Sequence, residues 1–123
     1  METEYPMADV DKFLPLTPTT LHILLTLIDE DRHGYSIMQE VARQSEGQYK
    51  LGPGTLYDNL QKLMNQGMVE EAARRSPQDD PRRRYYRLTK FGRGLLSAEI
   101  ARLEGVVREA RHHLRVPAPR RAS

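Results

Sequence analysis

From Leu21 onward the apolar positions keep a helical rhythm. Leu21, Leu24, Leu25 and Ile28 recur at i, i+3, i+4 and i+7, with Ile23 and Leu27 widening the face. Thr17 and Pro18 precede them, a hydroxyl able to cap free amides and a ring suited to the first helical position. The pattern predicts a helix over about 17–29, apolar enough for burial on two sides. After the polar break from Asp29 to Gly34, Ile37, Met38 and Val41 predict a second, amphipathic helix ending near Gly47. Tyr49, Lys50 and Leu51 read as a few residues of strand.

Gly52-Pro53-Gly54 opens a third helix that Gly67 ends. It carries two separate stripes: Leu56, Leu60, Leu63 and Met64 on one side, and Thr55, Asp58, Asn59 and Lys62 on the other. From Met68 the period changes to strand, turn, strand, written MVEEAARR, SPQDDP and RRRYYRLT. Alternation on the second strand puts Arg84, Tyr86 and Leu88 on one face and Arg83, Tyr85 and Arg87 on the other. One tyrosine ring is expected under the hairpin, and the other offers its hydroxyl. Thr89 then caps a last helix running to about Leu114. In it Leu96, Ile100, Leu103, Val107, Ala110 and Leu114 recur at spacings of 4, 3, 4, 3 and 4, a seam of about three heptads. So small a chain has little left to cover that seam, so a homodimer through this helix is expected, with Val10, Phe13 and Leu14 packing across it.

These elements predict a mainly α fold with a small β-hairpin, a winged helix-turn-helix with a long C-terminal dimerisation helix. Residues 1–15 form an N-terminal extension, 16–89 the DNA-binding domain, 90–115 the dimerisation helix and 116–123 a Pro- and Arg-rich disordered tail. The length of 123 residues suits one domain, and a chain without cysteine or tryptophan must build an aliphatic core without disulfides. The acidic N-terminus lacks a basic-then-apolar signal pattern, and no run approaches the roughly 18 apolar residues that span a bilayer. A cytoplasmic protein that does not enter membranes is the expectation.

Charge changes the picture more than composition does. The net charge is only +2, yet residues 1–31 carry seven acids against Lys12, and residues 74–93 carry eight bases against Asp79 and Asp80. A run such as Arg82-Arg83-Arg84 repels itself unless an anion meets it, which points to phosphate. On the third helix Asn59 suits adenine, Lys62 guanine or phosphate, and Asp58 a cytosine or a neighbouring side chain. Tyr57 borders the apolar stripe and is expected mainly in the core. Tyr35 opens the second helix, where free amides also suit phosphate, and His33 can cap it. His22 reads as a structural histidine. His112 and His113 point in different directions and have no partner at ligand spacing, so no metal is expected. No cofactor is expected, and there is no phosphate loop, GxSxG, HExxH or convergent carboxylate pair, so the chain does not read as an enzyme.

The segments LTPTTLHILLTL, RHGYSIMQEV, LGPGTLYDNLQKLMNQGMVEE and DDPRRRYYRLTKFGRGLL, taken in order, resemble the PadR-like regulators, in the shorter subgroup with a single helix after the wing. The resemblance implies a bacterial, homodimeric transcription factor, usually a repressor, released from a double-stranded DNA operator by an effector or stress signal. It also keeps Tyr57 of the GTLY segment among the DNA-binding residues, with Tyr35, Thr55, Asp58, Asn59, Lys62, Arg82, Arg83, Arg84 and Tyr86. The competing reading is a dimeric coiled-coil interaction module whose arginines bind an acidic protein. Sequence-selective, salt-dependent binding to duplex DNA separates the two.

Overall fold

A computed structural model of the chain describes residues 10–73, 78 and 80–115. Helix α1 spans Pro18–Thr26, with the Thr17 hydroxyl accepting from the Thr20 amide at 3.2 Å. It ends sooner than its apolar rhythm, because the Leu27 and Ile28 amides turn back to the Leu24 and Leu25 carbonyls and tighten the last turn. Strand β1 is Arg32–His33, and helix α2 is Gly34–Gln44, capped by His33 Nδ1, which accepts from the Ser36 amide at 3.2 Å. Helix α3 spans Pro53–Asn65, strand β2 Val69–Ala72, strand β3 Tyr85–Leu88 and helix α4 Lys90–Leu114.

Tyr49 to Leu51 form no strand. The Tyr49 amide donates to Ser45 Oγ at 3.0 Å, and its ring leans on His22 at 4.7 Å. The additional strand is β1, and the antiparallel sheet runs in the order β1-β3-β2. Val69 pairs with Leu88 and Ala72 with Tyr85, while Arg32 pairs with Tyr86 and His33 with Tyr85. Much of the expected turn, at 74–77 and 79, lies outside the described residues, as does the tail at 116–123.

The core is mainly aliphatic, with Tyr86 and Phe91 among its members: Leu24 of α1, Ile37 of α2, Leu60 of α3 and Leu95 of α4 join it with almost no exposure. Val10, Phe13 and Leu14, placed by their pattern across a partner, lie against their own chain's core, with Phe13 edge-on to Phe91 at 5.7 Å. Leu16 fastens the same segment. Its amide donates to Glu99 Oε2 at 3.0 Å, and Glu99, only 1% exposed, also receives Arg102 at 2.7 and 3.0 Å. Both donors hold the Glu99 carboxyl below the usual glutamate range, Arg102 the more strongly, against the opposing effect of burial.

Leu96 does not belong to the free seam. It is 3% exposed and packs with Leu95 in its own core. The first part of α4 is therefore a core helix of the same domain as α1 to α3. Its uncovered apolar face begins at Ile100 and continues through Val107 to Leu114, which is 72% exposed.

Candidate nucleic-acid interface

α3 turns Leu56, Leu60 and Leu63 inward, and the side facing away from them carries the residues available to a ligand. Thr55, Asp58, Gln61, Lys62 and Asn65 are exposed there. Asn59 sits on the flank instead. It is half-buried, its Nδ2 donates to the Thr55 carbonyl at 2.8 Å, and with Lys62 it borders a groove of about 390 Å³ facing Leu16, Thr17 and Thr20. The polar stripe read from the sequence is thus turned partly towards α1, with Thr55, Asp58 and Lys62 exposed and Asn59 on its half-buried edge.

Tyr57 occupies the other flank and is not a core residue; it is 47% exposed. Its hydroxyl lies so close to Gly34 that a Cβ there would overlap it, so the absence of a side chain at 34 is what lets the Tyr57 ring seat against the start of α2. From this contact a cleft of about 460 Å³ opens between α3 and the hairpin. Its walls are His33, Gly34, Tyr35, Tyr57, Tyr86 and the three arginines Arg82, Arg83 and Arg84. Tyr35 is 60% exposed at the rim.

Both hairpin tyrosines are buried, contrary to a division into one packed and one free ring. Tyr86 faces the core and the cleft floor, and Tyr85 is covered on the opposite side by β1, with the His33 ring edge-on at 5.4 Å. Burial pushes the Tyr86 phenol upward, with Tyr57 and Glu71 adding to the shift against Arg84. The hydroxyl at the cleft floor therefore stays protonated and remains able to donate.

The three arginines are not equivalent. Arg82 donates its amide to Asp80 Oδ1 at 2.9 Å and its Nε to the same oxygen at 3.3 Å. That amide is the main reason the Asp80 carboxyl lies below its ordinary range. Arg84 reaches Glu71 at 3.4 Å. Arg83 has no side-chain hydrogen bond among the described residues; only its amide is engaged, by the Asp80 carbonyl at 3.0 Å. Such solvent-exposed pairs add little to stability, so a phosphate can displace them. The result is a cationic, tyrosine-walled cleft with one guanidinium ready and two held nearby.

The structure thus gathers Tyr35, Tyr57, Tyr86 and Arg82 to Arg84 into one cleft, and sets Thr55, Asp58 and Lys62 on the adjoining helix face. Gln61, Asn65 and Gly34, which the sequence reading did not single out, border the same region. A finer signal did exist: positions opposite Leu56, Leu60 and Leu63 at about 100° per residue select Gln61 and Asn65 over Asn59. On α4, Ile100, Leu103 and Val107 line a separate apolar groove of about 400 Å³ edged by Glu104, Arg108 and Arg111, with Ala110 and Leu114 exposed beyond it. Among the described residues no group of three His, Cys, Asp or Glu could hold a metal, and no helix is long and apolar enough to cross a membrane.

Comparison with known proteins bears on the family and the fold. Residues 23–98 match the model of a family described as the transcriptional regulator PadR-like family. The transcriptional regulator Rv3488 of Mycobacterium tuberculosis is 37% identical over 89 residues, which cover 72% of this chain and 78% of that protein. Among solved structures, RosR of H. salinarum is 30% identical with a TM-score of 0.58, over 79% of each chain. Bacillus subtilis PadR in complex with operator DNA has a TM-score of 0.56 over 89% of this chain and 54% of that one; at 18% identity the likeness is one of fold.

Proposed function

Since the chain belongs to the PadR-like family of transcriptional regulators, we propose that it is a homodimeric repressor which holds a duplex operator and leaves it when an effector or stress signal arrives. In this reading α3 enters the major groove and the hairpin is a wing on the sugar-phosphate backbone. The cleft carries the proposal: Arg82, Arg83 and Arg84 face Tyr35 and Tyr57 directly beside the outward face of α3. Guanidinium groups and tyrosine hydroxyls suit phosphate oxygens, and those contacts set the register in which α3 meets base edges. The apolar face from Ile100 to Leu114 supports pairing of two chains, and a two-fold dimer calls for an operator of two inverted half-sites.

Selection of bound fragments from random duplexes, using the full chain, tests this reading. The expected product is an inverted repeat bound by two chains, with affinity that falls steeply as salt rises. Equal affinity for the selected and the unselected duplexes would remove the operator. Deleting the gene should raise transcription from a promoter carrying the repeat; a fall would make the protein an activator.

A further inference from the structure

α3 carries an exposed amide pair on the side turned away from its buried leucines. Gln61 Nε2 donates to Asn65 Oδ1 at 3.1 Å, and both side chains are exposed. The bond steadies two side chains that would otherwise lose rotamer freedom on binding. It leaves Gln61 with its Oε1 and one N–H uncommitted, and Asn65 with its whole NH2 group, among the described residues. Asn59 keeps a similar pair of groups after donating to the Thr55 carbonyl, but it is half-buried on the flank towards α1, whereas Gln61 is exposed. Gln61 also stands four residues along from Tyr57, about 6 Å of rise, so a backbone contact at the cleft and a base contact at Gln61 come from successive turns.

We propose that Gln61, steadied by Asn65, is the residue that selects a base, and that the base is adenine. In the major groove adenine presents the N7 acceptor beside the N6 donor, the complement of one amide oxygen and one amide N–H. Guanine presents two acceptors and would set its O6 against Gln61 Oε1. The inference rests on α3 being the helix that enters the major groove, as proposed above. Gln61 is uncharged, so its contribution is selective and leaves the salt dependence alone.

The experiment compares the wild-type chain, Gln61→Ala and Asn59→Ala in selection from random duplexes. It is followed by titration of the wild-type motif with adenine or 7-deazaadenine at the selected position. Wild type should enrich a motif with an adenine in each half-site and lose about tenfold or more in affinity when N7 is removed. Gln61→Ala should bind the adenine motif about tenfold more weakly, bind random duplex as before, and be indifferent to 7-deazaadenine; Asn59→Ala should behave as wild type. An unchanged motif and affinity for Gln61→Ala, or an equal loss on motif and random duplex, overturns the assignment of Gln61 while leaving the operator reading intact. Failure of the wild type to enrich any motif overturns both.

Discussion

Glu99 shows how much one buried carboxylate holds in place. It joins the segment before α1 to the middle of α4 through the Leu16 amide and the Arg102 guanidinium. Glu99→Ala removes an acceptor from both donors, and hydrogen bonds to charged groups contribute roughly 1.5 to 3 kcal/mol, so a loss of about 2 kcal/mol in unfolding free energy is expected from denaturant titration. The pH dependence follows from the direction of the shift. The folded state keeps Glu99 ionised below its ordinary range, so its stabilisation is complete above the unfolded-state value of about 4.3 and is lost as pH falls through the lower folded value. Thermal melting of Glu99→Gln between about pH 6 and pH 3 should therefore decline less than that of wild type; parallel curves would assign the acid sensitivity elsewhere. Gly34 allows a different separation. A methyl group there meets the Tyr57 hydroxyl, the far end of a half-exposed side chain that can swing aside. Gly34→Ala should melt close to wild type while weakening DNA binding several-fold through the displaced ring.

At the level of elements, the wing makes the sharpest quantitative claim. Each phosphate neutralised on B-DNA contributes about 0.9 to the slope of log affinity against log salt. Of the three wing arginines, Arg83 has no side-chain hydrogen bond among the described residues, whereas Arg82 must leave Asp80 and Arg84 must leave Glu71. Arg83→Ala should flatten the slope by about 0.9 per wing, with cognate and random duplex weakened alike. If Arg82→Ala instead flattens it more, the Asp80 pair is broken in the complex and Arg82 is the principal contact. The wing and the three helices were legible because each has its own period and its own punctuation, from Thr17-Pro18 to Gly67. β1 was not, since two polar residues carry no alternation and pair only because β3 arrives beside them from over fifty residues away. The burial of both hairpin tyrosines was missed for the same reason: a hairpin of two strands would leave one face open, and the third strand, through His33, covers Tyr85 there.

For the whole molecule, the seam shows why spacing alone misleads. Leu96 and Ile100 obey one heptad rhythm, yet the first is buried in its own domain and the second is not, because a continuous apolar stripe can serve two partners in succession. Substitution separates them. Leu96→Asp puts a carboxylate in the core and should unfold the domain at temperatures where wild type is intact. Leu103→Asp with Val107→Asp should leave a folded domain, seen as unchanged melting of the helical signal at low concentration, that sediments as a single chain. A double variant that still sediments as two chains would move the interface off this face.

Thr89 lends the junction beneath that seam a mechanical meaning. Its hydroxyl accepts from the Gly92 amide at 2.9 Å to cap α4 and donates to the Gly67 carbonyl at 2.5 Å just past α3, while its own amide donates to Met68 at 3.1 Å. Gly67 adopts φ of +81°, which keeps that turn tight against the start of α4. One shaft thus runs for 25 residues, roughly 37 Å, with its root clamped to the end of α3; in the proposed dimer α3 meets DNA and the far end of the shaft holds a second copy. In such a dimer the shaft acts as a ruler and a lever together: a twist of about 10° where the two shafts cross would carry each root through roughly 6 Å, comparable to a full turn of helix pitch at about 5.4 Å. One alanine inserted after Arg102 would rotate the far end by about 100° against the root, so two domains that fold normally would no longer span a single pair of half-sites.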